Sequence, residues 1–326
     1  MRVLTLSIVD RALAFEPRAH ATFITRLLLA LAELIGVVTT PDGRLFTSTP
    51  ALPSGMRCSG TGAFSLWCIG GPEPAELRMS RVITLVVLLV VMTGYRPRLT
   101  CIPHWYVTIS LTTSVPLPYG ADTAALVATM LFIPLTLGDR RIWQWSRPAG
   151  SLTPAWRGSA YIAWWMLRVQ ISVIYLDAML SKLTDPAWLH GTAIEAVLTD
   201  PSNGLPYAVR GAAASILTSS VIIAMMTWGV LAIEASIAFC ALLGSRARRV
   251  GVFLAIVLHV GIVLAMGLVS FSLTMMAIAI TLCLSDPRVS GPGKDPRRAN
   301  AYQGTPHTGH AATGPAAKEC PLGNTT

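Results

Sequence analysis

Residues 250–268 read VGVFLAIVLHVGIVLAMGL, nineteen residues with His259 as their one ionisable side chain. A helix needs about 20 predominantly apolar residues to cross the hydrocarbon core of a bilayer, so this run predicts a membrane-crossing helix. Immediately before it lie Arg246, Arg248 and Arg249, and after it the GLVSFS bend leads into a last apolar run. The same signal recurs upstream in LVVLLVVMTGY (85–95) and AALVATMLFIPLTL (124–137). Composition agrees: 53% of the 326 residues are hydrophobic and 13% charged, against about 25% charged in an ordinary soluble domain.

These runs predict an all-α, polytopic helical transmembrane bundle. Crossings are expected near 22–38, 77–95, 101–117, 121–138, 158–181, 212–243, 250–268 and 270–285. The polar, proline-containing third run and the closely spaced last pair could be re-entrant, which leaves six or seven crossings open. The first run contains Arg26 and Glu33 and is followed by no small-residue cleavage site, so it reads as an uncleaved helix.

The net charge of +9 comes from short basic clusters at the ends of apolar runs. That is the pattern of a topology signal, and no groove-reading motif accompanies it, so nucleic-acid binding is not expected. With the N-terminus in the cytoplasm, seventeen of the 25 basic residues fall on inner segments and five on outer ones. Both termini are therefore expected inside. Residues 1–285 form the expected membrane domain, and 286–326, poor in apolar residues, an expected disordered cytoplasmic tail.

This orientation puts the loop 39–76 outside, with Cys58 and Cys68 in CSGTGAFSLWC (58–68). An oxidising exterior permits a disulfide between them; two free thiols are the alternative. Cys101, Cys240 and Cys283 lie in apolar runs and read as packing residues. No second ligand pair lies near the outer cysteines, and no metal site is expected.

Charged groups in apolar runs need partners or a wet cavity. The candidates are Arg26, Glu33, Arg168, Asp177, Lys182, Glu234 and His259. Arg26, near a helix end, reads as a snorkelling anchor. In MLRVQISVIYLDAMLSKL (166–183), Arg168, Tyr175 and Lys182 are spaced by sevens. A helix drifts only about 20° over seven residues, so the three share a face. Asp177 is badly placed to pair with Lys182 on the same helix, which leaves Glu33, Asp122 and Glu234 as the available carboxylates. His259 reads as an interhelical hydrogen-bonding residue, since no second histidine lies at i+4.

The stretch IYLDAMLSKLTDPAWLHGTAIEAVL (174–198) resembles the signature region of the vitamin K-dependent γ-carboxylase-like superfamily, also called the horizontally transferred transmembrane domain (HTTM) family. Tyr175, Lys182 with Leu183, Trp188 and Gly191 carry the pattern, and LHVGIVLAMGLVSFSLTMM (258–276) resembles that family's late helical hairpin. The outer CSGTGAFSLWC, YGADTAAL (119–126) and LTLGDRRIWQW (135–145) look most like its SdpB-like branch.

The resemblance implies a bacterial membrane factor for maturing or producing a secreted antimicrobial peptide of the sporulation-delaying type. Its expected partners are the bilayer, the precursor peptide and a small SdpA-like protein. Export of, or immunity to, such a peptide is the alternative, as is a carboxylase-like enzyme of unknown substrate. In the carboxylases the lysine matching Lys182 is a base, and a lysine can act so only when its surroundings lower its proton affinity. Lys182 is accordingly the candidate catalytic base, supported by Arg168, Tyr175 and Glu234 around an outward-facing cavity, with Trp188 and Gly191 in a substrate loop. Tyr119, Gly120, Ala121 and Asp122 stand where the carboxylases' Asn/His pair is expected, and the chain shows no counterpart of their large outer region. Carboxylation and epoxidation are therefore not expected, and the cofactor stays unknown. No phosphate-binding glycine loop, HExxH or GxSxG is present, which argues against ATPase, metalloprotease and serine-hydrolase chemistry.

Overall fold

A computed structural model describes residues 2–284 except 51, 72, 149, 151, 202–203, 206–210 and 212–217. The expected tail and the first residues of the sixth expected crossing lie outside the described residues. Among the described residues the regular structure is helical, with no strand. The main helices are α1 (Arg2–Ala14), α2 (His20–Thr39), α3 (Pro74–Met92), α4 (Pro97–Ser114), α5 (Gly120–Thr136), α6 (Pro154–Lys182), α7 (Ser220–Leu242), α8 (Ser245–Met266) and α9 (Val269–Ile280). Of these, α2, α7 and α8 are long and apolar enough to cross a membrane, while α5 and the stretch Val269–Cys283 are shorter apolar helices. The chain is an all-α membrane protein.

Helix starts follow from local chemistry. Pro74, Pro97 and Pro154 occupy first-turn positions, where the missing N–H costs nothing. At α7 the Ser219 hydroxyl accepts from the Ile222 amide, satisfying one donor that the helix itself leaves unpaired. Gly267, at φ +68°, turns the chain between α8 and α9.

From α2 to α9 each helix packs on the next in sequence, and α9 returns to pack on α2. Among the described residues these eight helices thus close into a ring. Small residues such as Ala128, Ala163, Ala241, Ala255 and Ala277 are buried in its core, letting backbones approach where lipid supplies no hydrophobic drive between helices. Helix α1 packs against α6. Its successor Phe15 is fully buried, with its ring centroid 5.3 Å from Trp164 and 5.5 Å from Tyr161. The sequence reading contains no α1, because this segment mixes Asp10 and Arg11 with its apolar residues and carries no bilayer-length run.

The third expected segment is a continuous helix from Pro97 to Ser114 that runs through Pro103. At its C-terminal end sits a small cap built from residues 42–50 and 52–70. There Trp67 is buried against Phe46, the Ser65 hydroxyl donates to the Ser110 carbonyl (2.9 Å), and the Arg57 amide donates to that of Ser114 (2.9 Å). Cys58 and Cys68 are joined as a disulfide within this cap, their Cα atoms 5.5 Å apart.

Candidate functional site

Helix α6 aims its seven-spaced residues at the seam between α7 and α8. Lys182, the last residue of α6, donates to Glu234 Oε1 of α7 at 2.7 Å and to its own Ala178 carbonyl at 3.3 Å. The Lys182 Nζ also lies 5.4 Å from the centre of the Trp188 ring, a cation–π contact. Two turns back along α6, the Tyr175 hydroxyl meets His259 Nε2 of α8 at 2.9 Å, and Phe271 of α9 lies beside that imidazole. Tyr175, His259 and Glu234 are all buried, and Glu234 Oε2 and His259 Nδ1 have no protein partner. Glu234 is also within electrostatic range of Tyr175.

The structure does not bring Arg168 into this group. Arg168 and Lys182 are fourteen residues apart on one helix, about 21 Å at 1.5 Å per residue. Arg168 instead donates from Nε to the Ala241 carbonyl (2.8 Å) and from Nη2 to those of Leu242 (2.8 Å) and Leu243 (3.0 Å). Those carbonyls end α7 and have no partner within the helix. The guanidinium also stacks over Trp165, 3.7 Å from its centroid. Arg248 of α8 donates to the same Leu243 carbonyl and to Leu282. Arg168 thus fastens a helix end, and the charged partner of Lys182 is the Glu234 carboxylate.

Trp188 and Gly191 lie in the loop that follows α6. Asp185 caps its short turn by accepting from the Ala187 amide at 2.9 Å. Gly191 takes φ +74°, and a Cβ there would stand 3.2 Å from Ala224 Cβ and Trp228 Nε1 of α7. Glycine is needed both for that conformation and for the close approach. A shallow depression of about 360 Å³ opens beside it, lined by His190, Gly191, Thr192 and Glu195 against Ser220, Val221, Ile223 and Ala224. Lys182 and Tyr175 do not line it. Among the described residues no cluster of three or more His, Cys, Asp or Glu side chains is arranged to hold a metal ion.

One expectation is corrected by burial. Arg26 does not snorkel: it is fully buried, donating to Gln144 Oε1 (2.8 Å) and Thr100 Oγ1 (3.0 Å). Its partners lie on α4 and in the segment after α5. The readable signal was the four-residue spacing of Thr100, His104, Thr108 and Thr112, which predicts one polar helix face.

Residues 141–286 match the HTTM domain family. The chain is also 30% identical to the YitO protein of Bacillus subtilis (strain 168) over 267 residues, 81% of this chain and 85% of that one. The chain belongs to the HTTM family. Sporulation-delaying protein SdpB of the same organism is 27% identical over 267 residues, covering 82% of this chain and 81% of its own. That relationship sets this HTTM protein in the SdpB-like branch. No solved structure matches it. Lys182, Glu234, Tyr175, His259 and Trp188 all fall inside the HTTM match.

Proposed function

We propose that this HTTM protein serves the maturation or production of a secreted antimicrobial peptide of the sporulation-delaying type, and that Lys182 with Glu234 forms the group that acts on it. The observation that carries this reading is the interhelical Lys182–Glu234 pair, placed beside Trp188 at the mouth of the seam that also holds Tyr175 and His259. The relationship to a sporulation-delaying protein supplies the class of substrate.

Eight crossings with both ends in the cytoplasm belong to the same proposal. Eight helices that each pack on the next, together with the excess of basic residues on the inner segments, support them. Lys182, the disulfide cap and the Gly191 loop then share the outer side, where a peptide arrives after export. The precursor peptide and a small SdpA-like protein are the proposed partners. The pair has the parts for proton transfer: once Glu234 takes the proton of the Lys182 ammonium, the neutral amine accepts one from a substrate group.

The test is a producing strain in which Lys182→Ala is expressed at wild-type level in the membrane. Loss of active peptide, with the precursor still made, is the expected result. Normal active peptide from that strain would sink the proposal. Comparing peptide masses with and without the protein then reads the chemistry directly: a gain of one carboxyl group would establish the carboxylase-like alternative. Correctly processed peptide that kills a strain lacking the gene would establish immunity.

A further inference from the structure

A second buried polar system lies away from the Lys182 seam, between α2 and α4. Arg26 and Glu33, seven residues apart on α2, point at the polar face of α4. Arg26 donates to Thr100 at 3.0 Å, and Glu33 Oε1 lies 2.7 Å from Thr108 Oγ1. His104 occupies the turn between these contacts, 1% exposed, its Nε2 without a partner. Among the described residues neither Arg26 nor Glu33 forms an ion pair.

The geometry at Thr108 accommodates two protonation states. Its hydroxyl oxygen is 2.7 Å from Glu33 Oε1 and 2.9 Å from the His104 carbonyl of its own helix, yet it owns a single proton. If Glu33 is a neutral acid, its O–H donates to Thr108, whose own proton goes to the His104 carbonyl. With Glu33 ionised, the Thr108 hydroxyl turns and donates to the carboxylate. Both arrangements use the same heavy-atom positions.

We propose that Glu33 is a proton-binding site of the bundle, its protonated and ionised forms both held by the Thr108 hydroxyl. Thr112, one turn beyond Thr108, donates to the Thr108 backbone carbonyl at 2.8 Å and lies 3.5 Å from the backbone carbonyl of Asp122, which sets the start of α5 beside this face of α4. On release the proton leaves the carboxyl oxygen for water at the Asp122 end, and Glu33 keeps one negative charge. At the opposite end the fixed Arg26 cation repels an incoming proton and closes the route. The other titratable groups around Arg26 and Glu33 are His104 and Cys101 of α4, Asp139 after α5, which pairs with Arg141, and Arg81 of α3, engaged by Asp42 and the Val37 and Thr40 carbonyls. Helix α9 itself contributes no titratable side chain. In the proposed orientation the Asp122 end faces outward, so the site samples external pH.

The experiment is infrared difference spectroscopy of the full chain in lipid vesicles, titrated through the neutral range. Wild-type protein is expected to show a protonated-carboxyl stretch that grows as pH falls and shifts in D2O. That band disappears in Glu33→Gln, persists in Asp122→Asn, and changes frequency in Thr108→Val, which keeps the acid but removes its partner. Absence of the band in wild type overturns the proposal without recourse to any variant. So does a band that survives Glu33→Gln, follows Asp122 instead, or ignores Thr108→Val. None of these readouts depends on Lys182 or on the peptide.

Discussion

Lys182 and Glu234 meet at 2.7 Å, but their side chains are 26% and 8% exposed, and that asymmetry decides what each substitution does. Lys182→Met strands a buried carboxylate and is expected to destabilise the protein in detergent by about 2 kcal/mol, below the 3–5 of a fully buried pair. Glu234→Leu costs less, because Lys182 keeps solvent, the Ala178 carbonyl and the Trp188 ring. The double variant should recover most of the loss, as paired apolar replacements of buried ions often do; thermal melting of all four proteins checks this. A second residue-scale prediction concerns pH. Burial raises the Glu16 carboxyl, but hydrogen bonds from Arg18 (2.7 and 2.8 Å from its side chain), the Arg18 charge and that of Arg157 outweigh it and hold the group below its ordinary 4.5. A depressed carboxyl stabilises the fold above its ordinary value and loses that contribution as pH falls through the lowered one. Wild type should therefore melt above Glu16→Gln at neutral pH and converge with it in acid. The partner of Lys182 was not legible in sequence, since Glu33, Asp122 and Glu234 all lie in apolar runs and only helix rotation selects among them. The burial of Arg26 is hidden for the same reason: a charge near a helix end looks alike whether it faces lipid or Gln144 and Thr100.

At the scale of elements, the loop after α6 depends on Gly191. Ala at φ +74° is strained by about 1–2 kcal/mol, and its Cβ would press on Ala224 and Trp228 at 3.2 Å. Gly191→Ala should lower the melting temperature and loosen the loop against α7, seen as faster hydrogen exchange at residues 188–195. Apolar runs located most helices within a few residues, because a bilayer imposes length and hydropathy together. Helix α1 escaped detection because it is held by contacts to α6, through Phe15 and through Arg157 donating to the Leu13 carbonyl at 2.9 Å. Such contacts leave no mark on local hydropathy. Arg168 was placed on the correct face of α6, but a seven-residue repeat carries no information about which end of α7 it meets.

Among the described residues, helices α2 to α9 form a ring in which α9 meets α2. The closure is close at one point: a Cβ on Gly36 of α2 would stand 3.5 Å from Ser270 Oγ of α9, whose hydroxyl donates to the Ala32 carbonyl at 2.7 Å. Gly36→Cys together with Ser270→Cys is therefore expected to cross-link on mild oxidation, while either single variant is not. A gel shift after cleavage between α5 and α6 reads the result, and failure to cross-link would show that the ring is open there. Closure by α9 also has a consequence in time. Ribosomes deliver α2 long before α9, so through most of synthesis the α2 flank that will receive Ser270 is uncovered, and neither a chaperone nor the translocon can hand it a native neighbour early. Assembly of this ring is thus a race finished by α9, and a chain stopped before residue 269 would reach quality-control proteases as an unsealed intermediate.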